Sequence, residues 1–183
     1  MTNKQDLEEI LIVEDSPTQA ERLRYVLEQH GYRVSIAGNG REAMDLLADH
    51  RPSLVISDIL MPEADGYEVC RFVRQDQDLQ KVPVILLTAL SDPVDVMRAL
   101  ECGADNFLIK PFEENQLLKR IQLFLLNHDL RKHEGVQVGL EIVFQGQKYF
   151  INSDRLQILN LLLSTYEAAV EKNAQLLKVQ MEL

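Results

Sequence analysis

LVISD, residues 54–58, is a short apolar run closed by a carboxylate, and four further apolar runs flank it. Toward the N-terminus these are RVSIA (33–37) and EILIVE (9–14); toward the C-terminus they are VPVILLT (82–88) and NFLIK (106–110). All are rich in Val, Ile and Leu without a clean polar alternation, as strands covered on both faces are. Between the runs, apolar residues fall at helical spacing. Leu23, Val26 and Leu27 share one face, Ala43, Leu46 and Leu47 a second, and Val69, Phe72 and Val73 a third. Val96, Ala99 and Leu100 follow, and after the last run come Leu117, Leu118, Ile121 and Leu125. Strand and helix in strict alternation predict an α/β domain, a doubly wound five-stranded parallel sheet. Such a sheet takes its ligands beyond the carboxyl ends of its strands, where the strand order reverses. The residues that end the runs are therefore the place to look for chemistry.

Those ends carry Glu14 and Asp15, then Asp58, Thr88 and Lys110. Carboxylates gathered on one rim are hard oxygen ligands suited to Mg²⁺. A carboxylate is also a nucleophile toward phosphorus and can form an aspartyl phosphate. A metal ion and an ammonium would then neutralise charge on the phosphoryl oxygens during transfer. Singly, each residue has a plainer reading. Asp15 before Ser16-Pro17 could cap the first helix, and a lone strand-end lysine is ordinarily a surface lysine. Their occurrence together, in register, favours a site.

LIVEDSP (11–17), SDILMPEADGYE (57–68), LLTA (86–89) and FLIKPF (107–112), in this order and spacing, resemble the motifs of the response-regulator receiver family. The resemblance covers about residues 7–128. It implies a flavodoxin-like receiver fold and a phosphoacceptor switch of a two-component phosphorelay. Asp58 would accept a phosphoryl group from a histidine kinase or a histidine phosphotransfer protein, with Mg²⁺ as cofactor. Asp15 would ligate the metal directly and Glu14 mainly through water, with Asp58 and the backbone carbonyl of Leu60 as further ligands. The family usually has two Asp at the acidic pair, so Glu14 is a departure. Lys110 would pair with the phosphoryl group and Thr88 would move to hydrogen-bond it. Phe107 matches the aromatic switch position and, lacking a hydroxyl, can report only by packing. Pro111 fits a cis peptide after the lysine. Leu60 and Leu90 would flank the line along which water attacks the acyl phosphate. Neither can orient a water, so slow self-dephosphorylation is expected.

A receiver promotes its own phosphorylation and dephosphorylation but has no separate substrate, so it is not an enzyme in the ordinary sense. The alternative within the family is a receiver that works without phosphorylation, as a protein-interaction module; the full acidic site disfavours it. Haloacid-dehalogenase-like phosphatases also form aspartyl phosphates, but they need an acidic residue two positions after the nucleophile, where this chain has Leu60. A flavodoxin-like electron carrier should show a hydroxyl- and Gly-rich loop after the first strand. Here Glu14 and Asp15 precede SPTQAE (16–21) and would repel a flavin phosphate.

Composition narrows the setting. The chain has 183 residues, 46% hydrophobic and 26% charged, which permits a packed core. No apolar run approaches the ~20 residues of a membrane-spanning helix, and MTNKQDLEE (1–9) is no signal peptide. A formal net charge of -10 without clustered Lys and Arg disfavours a nucleic-acid surface. Cys70 and Cys102 stand in unrelated contexts without metal spacing, and read as reduced structural thiols of a cytoplasmic protein.

Past residue 128 the pattern changes. Residues 129–152 read as a linker and a β-hairpin, with GLEIVFQGQKYFI (139–151) alternating around Gly146. Asn152-Ser153-Asp154 offers helix-capping chemistry, and residues 153–183 read as one long amphipathic helix. Leu156, Leu159, Leu163, Tyr166, Val170, Asn173, Leu177 and Gln180 alternate steps of three and four, the spacing of a coiled coil that would make a homodimer. The competing reading folds that helix back on its own domain. SDRLQILNLLLSTYEAAVEKNAQLL (153–177) is also similar to connectors that follow receivers in proteins continuing into a sensor kinase or another output domain.

Overall fold

A computed structural model of the chain describes residues 7–89, 93–126, 138–144 and 146–153, together with Tyr166, Ala169, Val170 and Asn173. The five apolar runs form β1 (Glu9–Val13), β2 (Arg33–Ala37), β3 (Leu54–Asp58), β4 (Val84–Thr88) and β5 (Asn106–Ile109). They alternate with α1 (Pro17–Gln29), α2 (Gly40–Asp49), α3 (Gly66–Gln75), α4 (Pro93–Cys102) and α5 (Glu114–Leu126). The strands pair in parallel in the order β2-β1-β3-β4-β5, so the order reverses between β1 and β3.

The missing polar alternation has a direct cause: both sheet faces are covered. Leu11, Val13, Val55, Val84, Leu86 and Phe107 point to one side, where Ala43, Leu47, Val69, Val73 and Ala99 of α2, α3 and α4 meet them. Ile10, Ile12, Leu54, Ile56, Ile85 and Leu87 point to the other, against Leu23, Val26 and Leu27 of α1 and Leu117, Ile121 and Phe124 of α5. Successive residues of one strand thus feed two cores. Only the edge strand β2 is half-exposed along most of its length.

Local chemistry fixes the helix starts. Asp65 and Glu68 form a reciprocal capping box at α3, and Asn39 accepts the Glu42 N–H at α2. Ser16 is the N-cap residue of α1 and Pro17 its first residue, so Asp15 lies one position before the cap; the Ser16 side chain makes no capping hydrogen bond. At the far end of the sheet, the Arg74 guanidinium ties α3 to the strands. It donates to the carbonyls of Gly103 (2.7 Å), Gln80 and Val82 (both 2.9 Å) and to Asp105 Oδ2 at 2.5 Å. Asp105 is fully buried and also accepts the Val84 N–H at 2.6 Å.

Cys70 and Cys102, far apart in sequence, meet between α3 and α4. The Cys70 thiol donates to the Cys102 carbonyl at 3.2 Å, and both thiols are free and buried. Burial pushes the Cys70 thiol well up, which keeps it protonated. The expectation of structural thiols holds; that of unrelated contexts does not.

Beyond the sheet, β6 (Val138–Phe144) and β7 (Gln147–Ser153) form an antiparallel hairpin. Gly146 supplies a left-handed φ of +78° in its turn. The ladder continues to the Val138–Ser153 pair, so Asn152 and Ser153 are strand residues, and Asp154, the third residue of the expected capping segment, lies outside the described residues. β7 lies alongside α4, with Tyr149 and Ile151 buried. Of the predicted long helix, Tyr166, Ala169, Val170 and Asn173 are helical and exposed. The remainder of 154–183, like Leu90, lies outside the described residues. Among the described residues no helix is long and apolar enough to cross a membrane.

Candidate functional site

Parallel pairing brings the strand ends to one rim. In register, Asp58 of β3 lies opposite Leu87 of β4, and Thr88 lies opposite Ile109 of β5. Thr88 thus stands one residue beyond Asp58, and Lys110 one beyond the last residue of β5. The Lys110 N–H donates to the Thr88 carbonyl at 2.6 Å, extending the ladder to the site itself.

The Lys110 ammonium is the hub. It donates to Asp58 Oδ2 at 2.8 Å, to Glu14 Oε2 at 3.0 Å and to Gln19 Oε1 at 3.2 Å. Burial alone would lower its pKa, but hydrogen bonds donated to Asp58 and Glu14, and their negative charge, outweigh that and raise it. The ammonium is therefore charged throughout the physiological range. The peptide bond that follows, Lys110–Pro111, is cis, as expected from the sequence.

The carboxylates differ in role. Glu14 is buried, with Oε1 accepting the Ser16 N–H at 3.3 Å while Oε2 holds Lys110. Asp58 is mostly buried and its Oδ1 accepts the Ile59 N–H at 2.7 Å, which fixes the rotamer. Asp15 is exposed. Ligand oxygens of Glu14, Asp15 and Asp58 all lie within 4.8 Å of one another. Oxygen donors about 2.1 Å from a small octahedral cation span up to about 4 Å across it. The carboxylate set thus fits Mg²⁺ after a small side-chain adjustment. Both oxygens of Glu14 are already engaged, so its easiest contact with a cation is through water.

Thr88 is buried. Leu60, two residues beyond Asp58, is 77% exposed at the rim. Phe107 is wholly buried in the core shared with α2, α3 and α4.

Gln19 and two glycines complete the site without having been anticipated. Gln19 lies in the first turn of α1, and nothing in the sequence singled it out. A Cβ on Gly66 would come within 2.2 Å of the Asp58 carbonyl oxygen, and one on Gly40 within 2.4 Å of the Ala64 carbonyl oxygen. Only glycine lets the chain between β3 and α3 close down on the site. Within that chain Glu63 takes a left-handed φ of +68°, an uncommon conformation for a residue with a side chain.

With the geometry in place, comparison with known proteins is informative. Residues 10–122 match the family model of the response regulator receiver domain. The chain is 33% identical to the DNA-binding response regulator MtrA of Mycolicibacterium smegmatis, over 91% of this chain and 72% of that protein. The receiver domain of a signal transduction histidine kinase from Syntrophus aciditrophicus is 50% identical over 73% of this chain and 99% of its own, with a TM-score of 0.64. The receiver domain of sensor histidine kinase PA1611 from Pseudomonas aeruginosa has a magnesium ion coordinated in its active site cleft. It is 31% identical over 64% of this chain and 98% of its own, with a TM-score of 0.61.

Proposed function

Because this chain belongs to the response regulator receiver domain family, we propose that Asp58 is the residue that accepts its phosphoryl group. The chain is a phosphoacceptor signalling module, not an enzyme with a substrate of its own. The observation that carries the assignment to Asp58 is the Lys110 ammonium held 2.8 Å from its carboxylate, inside a cluster of acids.

In this reading a carboxylate oxygen of Asp58 attacks phosphorus in a phosphohistidine donor. A P–O bond forms as the P–N bond breaks, and the imidazole leaves with the electron pair. Ile59 N–H holds the carboxylate in its attacking orientation. Lys110 neutralises charge on the phosphoryl oxygens, and Thr88 hydrogen-bonds one of them from the neighbouring strand end. Mg²⁺ held by Asp15, Asp58 and the Leu60 carbonyl, with Glu14 acting through water, would supply further charge neutralisation. Phe107, being wholly buried, registers the event through its packing.

The donor is a histidine kinase or a histidine phosphotransfer protein. The switch occupies residues 7–128, and its output side is the 129–152 hairpin segment and the 153–183 helix, through which the chain dimerises. Two free, buried cysteines support a cytoplasmic setting.

The test is intact-mass spectrometry after incubation with acetyl phosphate and Mg²⁺. Wild type should gain one phosphoryl group, and Asp58→Asn none. Labelling that persists in Asp58→Asn, or that ignores removal of Mg²⁺ by a chelator, overturns the assignment.

A further inference from the structure

The hairpin presents a question that the acidic site does not answer. Two antiparallel strands without further partners are marginal in water, so β6 and β7 depend on what they pack against. β7 lies alongside α4. Tyr149 and Ile151 share one face of β7 and are buried, whereas Lys148, just before Tyr149, is exposed. The half-buried Val94, Asp95, Met97 and Leu100 lie on α4. An interaction surface on α4 is thus occupied by a ligand carried in the same chain.

That surface is joined to the acidic site by a short run of close contacts. Asp58 is followed by the tightly held loop, and Gly66 sits so near the Asp58 carbonyl that a Cβ could not be inserted. The next residue, Tyr67, is buried, and its hydroxyl donates to the Asp95 carbonyl in the first turn of α4 at 3.4 Å. Burial, with the negative charge of Asp95 adding to it, pushes the Tyr67 phenol far up, so the hydroxyl stays a donor. From Asp58 to the hairpin the path is then Gly66, Tyr67, α4 and β7.

We propose that the hairpin is a built-in ligand of α4 whose docking is linked to the state of Asp58, and that phosphorylation releases it. The direction follows from Lys110, which donates straight to a carboxylate oxygen of Asp58. The hairpin is docked in the same arrangement in which that contact is made. A phosphoryl group on Asp58 redirects the ammonium and shifts the loop ahead of α3, and with it Tyr67 and the first turn of α4. A marginal hairpin has little reserve against such a shift. The inference rests on Asp58 being the phosphoryl acceptor.

The experiment uses the full chain with acetyl phosphate and Mg²⁺, reading intact mass and amide hydrogen exchange of residues 147–153 on the same samples. The expected result is one added phosphoryl group with hairpin exchange faster by about fivefold or more, the lower end of ordinary coupling between sites. Tyr67→Phe, which leaves the acids and Lys110 in place, should be labelled like wild type while its hairpin exchange responds less. A labelled protein whose hairpin exchange is unchanged or slower overturns the inference and leaves the Asp58 assignment standing. Protein that takes no label overturns both. A Tyr67→Phe response equal to wild type overturns the route through Tyr67.

Discussion

Lys110 donates to two carboxylates and an amide at once, which on the proposed assignment puts its ammonium where phosphoryl oxygens would arrive. Leu60, two residues beyond Asp58, has the opposite character, exposed and without a polar atom in its side chain. An acyl phosphate is lost when water attacks in line with the bond to be broken, and aligning that water is a large part of the rate. A leucine there can only obstruct. Leu60→Asn should therefore shorten the lifetime of the phosphorylated protein by about tenfold, within the range that nucleophile alignment commands. Following the decay of labelled protein by intact mass checks this, and an unchanged lifetime would free Leu60 of any gating role. Of the site, the residues at strand ends were legible because the register of a parallel sheet delivers them together. Gln19 was not, since a glutamine on an exposed helix turn has no chemistry of its own until the ammonium is seen beside it. Nor were Gly40 and Gly66, whose necessity comes from carbonyl groups that approach them from elsewhere in the chain.

Among the elements, α3 is held at both ends. Its start rests on Asp58 through Gly66, and its end is fastened by Arg74 to Asp105 and three carbonyls. The Arg74 side chain is 17% exposed and that of Asp105 not at all, so the pair is a buried one. Removing one partner of a buried pair strands the other charge. Arg74→Ala should cost about 3 kcal/mol, the low end of such losses because the Val84 N–H still serves Asp105. The urea midpoint should fall by about 1 M or more, and Arg74→Lys, unable to reach all four acceptors, should recover only part of that. The strands themselves were easy to read: runs of Val, Ile and Leu announce burial on two faces. Arg74 and Asp105 were not, because charged residues at a helix end and a strand start look solvated until the fold closes over them. For the same reason the meeting of Cys70 with Cys102 escaped notice, being a contact between elements and not a pattern within one.

For the molecule as a whole, the acidic sheet domain and its hairpin leave the C-terminal stripe to be accounted for. Tyr166 and Val170, two positions of the heptad spacing, are 69% and 50% exposed, a cost that pairing with a second copy would remove. Deleting residues 154–183 should convert a dimer into a monomer at micromolar concentration, read by sedimentation of the two chains. A full-length protein that is already monomeric would favour the helix folded back on its own domain. Dimerisation that survives the deletion would place the contact on the sheet domain or the hairpin.

The spread of the site along the chain has a consequence during synthesis. Glu14 leaves the ribosome 96 residues ahead of Lys110, the ammonium that it will hold. At ordinary translation rates, that interval is on the order of 5 to 20 s. Through it the nascent chain carries Glu14, Asp15 and later Asp58 without their cation, three negative charges that a growing sheet would draw together. Their repulsion opposes early closure of β1 on β3 at that end, and the arrival of β5 with Lys110 relieves it. A chain cut short before residue 110 therefore lacks the ammonium that pairs with Glu14 and Asp58.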